Sequence, residues 1–253
     1  TGDGNFESGP TPGILLGVGA VSDTLVWDYE KLSTWVSRDG GYSWFVALDE
    51  PCVFSIGDQG NVIVAIPYYK TGSFSSIENS AALDRSIYYY SVDQGTTWKE
   101  GHFDKGLFPT LLTTTIDGSS QKFIFAGYDM AGATNELQVF ENAYYVFSMD
   151  FSDIFGGKTC GNGDMEEFVA RSGEGTEDGI CIMGHKEKFQ RRKKDAECFV
   201  NKLYQDVEPT IETCDCTIHD FECQKGFRYE NGECVADLKY FRNVCVDNPT
   251  TES

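Results

Sequence analysis

Ser91-Val92-Asp93-Gln94-Gly95-Thr96-Thr97-Trp98 has the form Ser-x-Asp-x-Gly-x-x-Trp, and Ser37-Arg38-Asp39-Gly40-Gly41-Tyr42-Ser43-Trp44 repeats it. Recurrence at a period of about 50 residues marks a propeller or a solenoid. The local chemistry predicts a tight turn. An Asp carboxylate accepts hydrogen bonds from amides just ahead of it, Gly takes positive φ, and Ser adds weaker local bonds. The Trp carries a large apolar area into the next strand and staples the turn to the body of the repeat. Each copy follows a strand-like run, Leu32–Val36 and Ser86–Tyr90. Ser37, Asp39, Gly41 and Trp44, and likewise Ser91, Asp93, Gly95 and Trp98, are therefore expected in turns between two strands of one sheet, with a structural and not a catalytic role.

The pattern resembles the Asp-box of β-propellers, at 37–44 and 91–98. Around the second box the chain reads as one four-stranded blade: Cys52–Ile56, a turn at Gly57–Asn61, Val62–Tyr69, a polar loop, Ser86–Ser91, then Thr97–Phe103. Four antiparallel strands joined by turns make a blade. The first box belongs to a repeat with strands at Ile14–Val21, Trp35–Ser37 and Trp44–Leu48. Thr1–Pro12 reads as a loop, which leaves that repeat without its start. A third repeat offers Thr110–Ile116, Lys122–Tyr128 and Ala143–Phe151, and its box shrinks to Ser148 and Asp150. The chain is expected to be all-β, with residues 1–155 a partial propeller of about three blades. Three blades cannot close a ring, so the remainder of the ring is an expected partner.

From residue 156 the texture changes. Eight of the nine cysteines lie between Cys160 and Cys245, and Cys52 stands alone in a blade strand. Such density in a short tract implies disulfides and an oxidising compartment. The basic run Lys186–Lys194 is expected mainly as a solvated face, with a docking patch as the alternative. The net charge of −20 argues against nucleic acid, which demands a basic surface. No apolar run reaches the length of a membrane span, and Thr1–Gly4 has no signal-peptide character.

Asp-box propellers include sialidases, whose reaction needs arginines converging on a carboxylate, yet residues 1–155 hold only Arg38 and Arg85. Cys214, Cys216, Cys223 and His219 make a poor zinc chelate. No cofactor or metal is expected. His102, His185 and His219 read as surface residues, with pH sensing as the alternative.

Cys181-Ile-Met-Gly-His-Lys-Glu-Lys-Phe189, then Cys198, Cys214-Asp-Cys216, Asp220-Phe-Glu-Cys223 and Cys234, directly downstream of Asp-box blades, resemble the cysteine-rich module of the sortilin family, the vacuolar-protein-sorting-ten-type receptors. His185 stands where the pattern has an aromatic. The resemblance implies the last three blades of a ten-bladed propeller, then a small disulfide-rich module over 156–253, truncated at its end. By position it implies disulfides Cys160–Cys198, Cys181–Cys214 and Cys223–Cys234, with Cys216 and Cys245 bonded to cysteines beyond the chain. The innermost strands, near Val53–Gly57 and Leu112–Ile116, would face the ring's tunnel. It further implies a non-catalytic receptor, lumenal and single-pass type I in its parent. Its cargo would be soluble vacuolar hydrolase precursors, such as that of carboxypeptidase Y, carried from late Golgi to endosome. A secreted Asp-box glycosidase or an extracellular adhesion module is the alternative.

Overall fold

The computed structural model describes residues 6–8, 10–26, 31–67, 85–133, 136–170, 179–201, 208–217 and 220–241. Three antiparallel meanders follow one another. The first is β1 (Phe6–Ser8), β2 (Leu15–Gly19), β3 (Ser33–Ser37) and β4 (Phe45–Leu48). The second is β5 (Cys52–Gly57), β6 (Val62–Pro67), β7 (Ile87–Ser91) and β8 (Lys99–His102). Each pairs its strands in sequence order. The third has β9 (Leu107–Thr113), β10 (Lys122–Asp129) and β11 (Tyr144–Asp150), with the short helix α1 (Glu136–Glu141) between β10 and β11. The fold is all-β: propeller blades followed by a disulfide-rich tract.

Three details differ from the sequence reading. Phe6–Ser8 is a strand, not part of a loop, because it pairs antiparallel with Leu15–Gly17, so the first blade has its start. β9 begins at Leu107 and ends at Thr113. Ile116 is fully exposed, since the Gly118 amide donates to the Thr115 carbonyl and turns the chain there. Helix α1 has no counterpart in the strand pattern expected from the sequence.

The core follows from the period-2 geometry of strands. Every residue of β6 is buried. Ile63 and Ala65 pack with Ile14, Leu16, Val36 and Ile56 of the first and second blades. Val62, Val64 and Ile66 pack with Leu107, Phe123, Phe125 and Met149 of the third. A strand covered on both faces reads as a continuous apolar run, and Val-Ile-Val-Ala-Ile does so. Blades two and three also meet at their turns. A Cβ on Gly57 would lie 2.3 Å from the Ser120 carbonyl oxygen, so only glycine fits there.

After the blades come β12 (Met165–Val169) and β13 (His185–Arg192), antiparallel from Met165↔Arg192 to Val169↔Lys188. Next are β14 (Thr210–Thr213), β15 (Phe227–Glu230), β16 (Glu233–Ala236) and helix α2 (Leu238–Phe241). The chain divides into two compact units, Thr1–Ile180 with Glu187–Thr210, and Cys181–Lys186 with Ile211–Ser253. Residues 187–201 are thus built into the same unit as the blades, although the texture of the sequence changes at residue 156. In the second unit the β15–β16 hairpin turns at Asn231-Gly232, both at positive φ (53° and 96°), the pairing that two-residue hairpins favour.

The structure holds disulfides Cys160–Cys198, Cys181–Cys214 and Cys223–Cys234. Among the described residues Cys52 is free and buried, and Cys216 is free and exposed. Burial pushes the Cys52 thiol well above its ordinary pKa. Cys245 and His219 lie outside the described residues.

Candidate functional site

The two boxes have the same internal wiring. The Ser37 hydroxyl donates to Asp39 Oδ1 at 2.8 Å and accepts the Gly41 amide at 2.8 Å. Asp39 Oδ1 accepts the Ser43 amide at 2.9 Å. In the second box the corresponding bonds are Ser91 to Asp93 at 2.8 Å, Gly95 to Ser91 at 2.9 Å, and Thr97 to Asp93 at 2.8 Å. The carboxylate therefore reaches four residues ahead. Burial pushes the Asp93 carboxyl up, but the Thr97 hydroxyl and amide together with Ser91 outweigh it and hold it below the ordinary range; Asp39 behaves likewise. Each tryptophan closes back on its own turn, with Trp44 and Trp98 donating to the Gly41 and Gly95 carbonyls, both at 3.1 Å. Only Trp98 also borders the core; Trp44 remains exposed.

This wiring leaves the carbonyl of the residue after each Ser pointing outward from the turn. Those carbonyls are taken by consecutive arginines of β13. Arg191 Nη1 donates to the Arg38 carbonyl at 2.7 Å and to the Pro12 carbonyl at 3.1 Å. Arg192 Nη2 donates to the Val92 carbonyl, and its Nη1 to the Cys198 carbonyl at 2.8 Å. The expected solvated face is thereby corrected for Arg191 and Arg192 within the basic run. Arg191 is 9% exposed and Arg192 is 1% exposed, whereas Lys193 and Lys194 remain in solvent. Alternation along the strand is the reason: neighbouring residues point to opposite faces, so one arginine meets each box.

Gln94 and Asp58 complete the cluster. The Gln94 side chain is fully buried. Its Oε1 accepts Arg38 Nη2 at 2.7 Å, and its Nε2 donates to Asn61 Oδ1 at 3.1 Å and to the Arg192 carbonyl at 2.7 Å. The backbone there is left-handed (φ 61°), an unfavourable state for a non-glycine residue that places the amide among these partners. Asp58 is 0% exposed. Its Oδ2 accepts the Val200 amide at 3.0 Å, and its Oδ1 accepts the Asn201 amide at 3.0 Å and Gln121 Nε2 at 2.9 Å. Arg191 Nε also donates to Glu166 Oε1 at 2.8 Å. Burial lowers the Arg192 guanidinium from its ordinary pKa, and the nearby charges of Asp58, Asp93 and Asp195 oppose that fall.

Three arginines do converge here, two of them from outside residues 1–155. Their bonded donors go to main-chain carbonyls, to Gln94 and to Glu166, while Arg38 Nε and Arg192 Nε are buried without a hydrogen-bond partner among the described residues. The arrangement locks the tract around β13 to the turns of blades one and two. We expect Gln94→Ala to cost about 2 kcal/mol of stability, the scale for stranding buried partners, read as a lowered urea midpoint of the 253-residue chain with unchanged slope.

Among the described residues, His102 and His185 stand apart from this cluster. His102 Nδ1 lies 3.4 Å from the Ser86 hydroxyl, and His185 Nδ1 lies 3.4 Å from the Met183 carbonyl. Cys214 and Cys223 are in disulfides, which removes both as thiolate ligands. Asp150, the remnant of the third box, accepts the Ser152 amide at 3.0 Å and pairs with Lys122 at 2.8 Å. That ammonium and Ser152 hold its carboxyl well below the ordinary range. No helix among the described residues is long and apolar enough to cross a membrane.

Two family models match in tandem. "Sortilin, neurotensin receptor 3" covers residues 2–112, and its C-terminal counterpart covers residues 114–252. The chain belongs to the sortilin family. This sortilin-family chain is 46% identical over 96% of its length to vacuolar protein sorting/targeting protein 10 of Candida albicans (strain WO-1), and 46% identical over 98% to that of Debaryomyces hansenii. It is 40% identical over 94% of its length to vacuolar protein sorting/targeting protein PEP1 of Saccharomyces cerevisiae (strain RM11-1a). It spans 14–15% of the length of these relatives.

Proposed function

We propose that this chain is part of the lumenal, cargo-binding portion of a single-pass type I sorting receptor. The receptor carries soluble hydrolase precursors from the late Golgi to the endosome and vacuole. The observation that carries the reading is 40–46% identity, over nearly the whole chain, to proteins named for vacuolar protein sorting and targeting. The work assigned is binding, not catalysis. Inward commitment of the clustered arginines supports a scaffold over glycan chemistry.

In this reading residues 1–155 are the last blades of the ring, and residues 156–253 are the module that braces it. The boxes at 37–44 and 91–98 set the blade turns. Cys216 and Cys245 pair with cysteines beyond Ser253. The remainder of the ring is a partner, supported by apolar side chains left exposed on both outer blades: Phe45 and Val46 on the first, Leu111, Ile124 and Val146 on the third.

Cells lacking the full-length receptor are expected to secrete the precursor of a vacuolar hydrolase, and the purified receptor to bind that precursor directly. Delivery of every such precursor to the vacuole without the receptor would overturn the assignment.

A further inference from the structure

Four basic residues run together at Arg191-Arg192-Lys193-Lys194, and nowhere else in residues 1–253 do two basic residues adjoin. Paired basic residues are the recognition element of a class of secretory-pathway endoproteases. These enzymes hold the substrate extended, take both basic side chains into acidic pockets, and favour arginine at the cleaved position. By its letters alone, the bond after Arg192 is their substrate.

The fold withholds what such an enzyme needs. Arg191 and Arg192 are buried, and their guanidinium groups are bonded to the carbonyls of Pro12, Arg38, Val92 and Cys198. The peptide group between Arg192 and Lys193 is occupied at both ends. Its carbonyl accepts Gln94 Nε2 at 2.7 Å, and its amide donates to the Asp164 carbonyl at 2.9 Å. Upstream, the main chain from Lys188 to Arg192 is paired with β12. Susceptibility to nicking follows burial and main-chain bonding, not sequence position. Lys193 and Lys194 are exposed, but a cut after Lys194 would put lysine at the cleaved position and Asp195 directly beyond it.

We propose that Arg191-Arg192 is a masked processing site. Paired-basic endoproteases hydrolyse the Arg192–Lys193 bond only in molecules whose β13 has left the two Asp-box turns. Water adds across that amide, leaving a carboxylate on Arg192 and an amine on Lys193. The same two arginines thus hold the fold and mark its loss. The cut falls inside the loops closed by Cys160–Cys198 and Cys181–Cys214, so both pieces stay joined until these bridges are reduced. A lumenal receptor passing through the late Golgi meets such proteases, a step that rests on the function proposed above; the masking itself does not.

The test treats the purified full-length receptor, and separately a synthetic peptide of residues 186–197, with a subtilisin-type endoprotease specific for paired basic residues. New amino termini are identified by mass spectrometry. The peptide should be cut after Arg192. The folded receptor should be cut there at less than roughly one-hundredth of the peptide's rate, because cleavage follows the population of the open form. Gln94→Ala, which frees the Arg192 carbonyl, should raise the receptor's rate by roughly 10- to 30-fold. The pieces should separate on a gel only after reduction. Should that variant not fold, graded urea on the wild type should raise the same rate, once divided by the peptide's rate at each concentration. A resistant peptide would overturn the proposal. So would a folded receptor cut after Arg192 or Lys194 as fast as the peptide, or a rate unmoved by Gln94→Ala or by urea.

Discussion

Asp58→Ala is expected to lower the stability of the chain by about 4 kcal/mol, the scale for breaking a buried, hydrogen-bonded charge. The carboxylate accepts two amides from residues 200–201 and the Gln121 side chain, and it is among the charges that compensate the buried guanidinium of Arg192. Removing it strands the Val200 amide and leaves Arg192 short of negative charge. Asp58 and Gln59 are also left-handed in succession (φ 43° and 58°), which alanine tolerates less well than Asp or Asn. Asp58→Asn keeps that backbone tolerance and part of the bonding, so roughly half the loss is expected, read by urea unfolding.

The same residue sets a pH dependence. Burial pushes the Asp58 carboxyl above its ordinary pKa, against the pull of Asn201, Val200 and Gln121. A carboxyl raised in the folded state binds its proton more tightly there than when unfolded, so its term favours folding increasingly as pH falls from its folded value to the ordinary one. Asp39 and Asp93 are lowered. Their contribution is complete above the ordinary carboxylate value and is lost as pH falls through their folded values. Asp58→Asn should therefore remove a gain on mild acidification and leave the steeper acid loss in place.

Replacing Cys160 and Cys198 together by serine is expected to cost about 4 kcal/mol, from the loop-closure entropy restored to the unfolded chain by a bridge of sequence separation 38. The bridge also presents residues 198–201. The Cys160 amide donates to the Phe199 carbonyl at 2.9 Å, and the Phe199 amide to the Lys158 carbonyl at 2.8 Å. Phe199 is buried in the core shared with blades two and three, its ring 5.0 Å from that of Phe155. Hydrogen exchange should report faster opening at Val200 and Asn201. The Cys223–Cys234 bridge, of separation 11, is worth roughly 3 kcal/mol by the same reckoning, and its removal should leave the Val200 amide unchanged. Equal effects of the two changes on Val200 would sink this account.

What the sequence disclosed was whatever is decided within a few residues. The box wiring closes inside eight positions, so Ser37–Trp44 and Ser91–Trp98 announced their turns. β6 announced its two-sided burial by its unbroken apolar run. β1 could not be seen, because Phe6–Ser8 is a strand only by virtue of β2 beside it. The β9 boundaries shifted because pairing with β10, not the Thr-rich run at 113–115, selects its residues. The cluster at Asp58 was hidden for the same reason. Asp58 read as one more turn residue, and the amides it holds are 142 and 143 positions away. The one local clue was a pair of arginines inside a cysteine-stapled tract, and its pattern fits solvent equally well.

Adjacent arginines that grip two successive blade turns behave as a caliper. The jaw separation is fixed by one peptide unit of β13, and it matches one interval between blades, the interval from the first box to the second. An evolving ring could gain or lose blades elsewhere without disturbing this gauge. A blade inserted between these two would part the Arg38 and Val92 carbonyls beyond the reach of Arg191 and Arg192. Blade number should therefore be free to drift far upstream and held here at the single interval between the Ser37–Trp44 and Ser91–Trp98 turns.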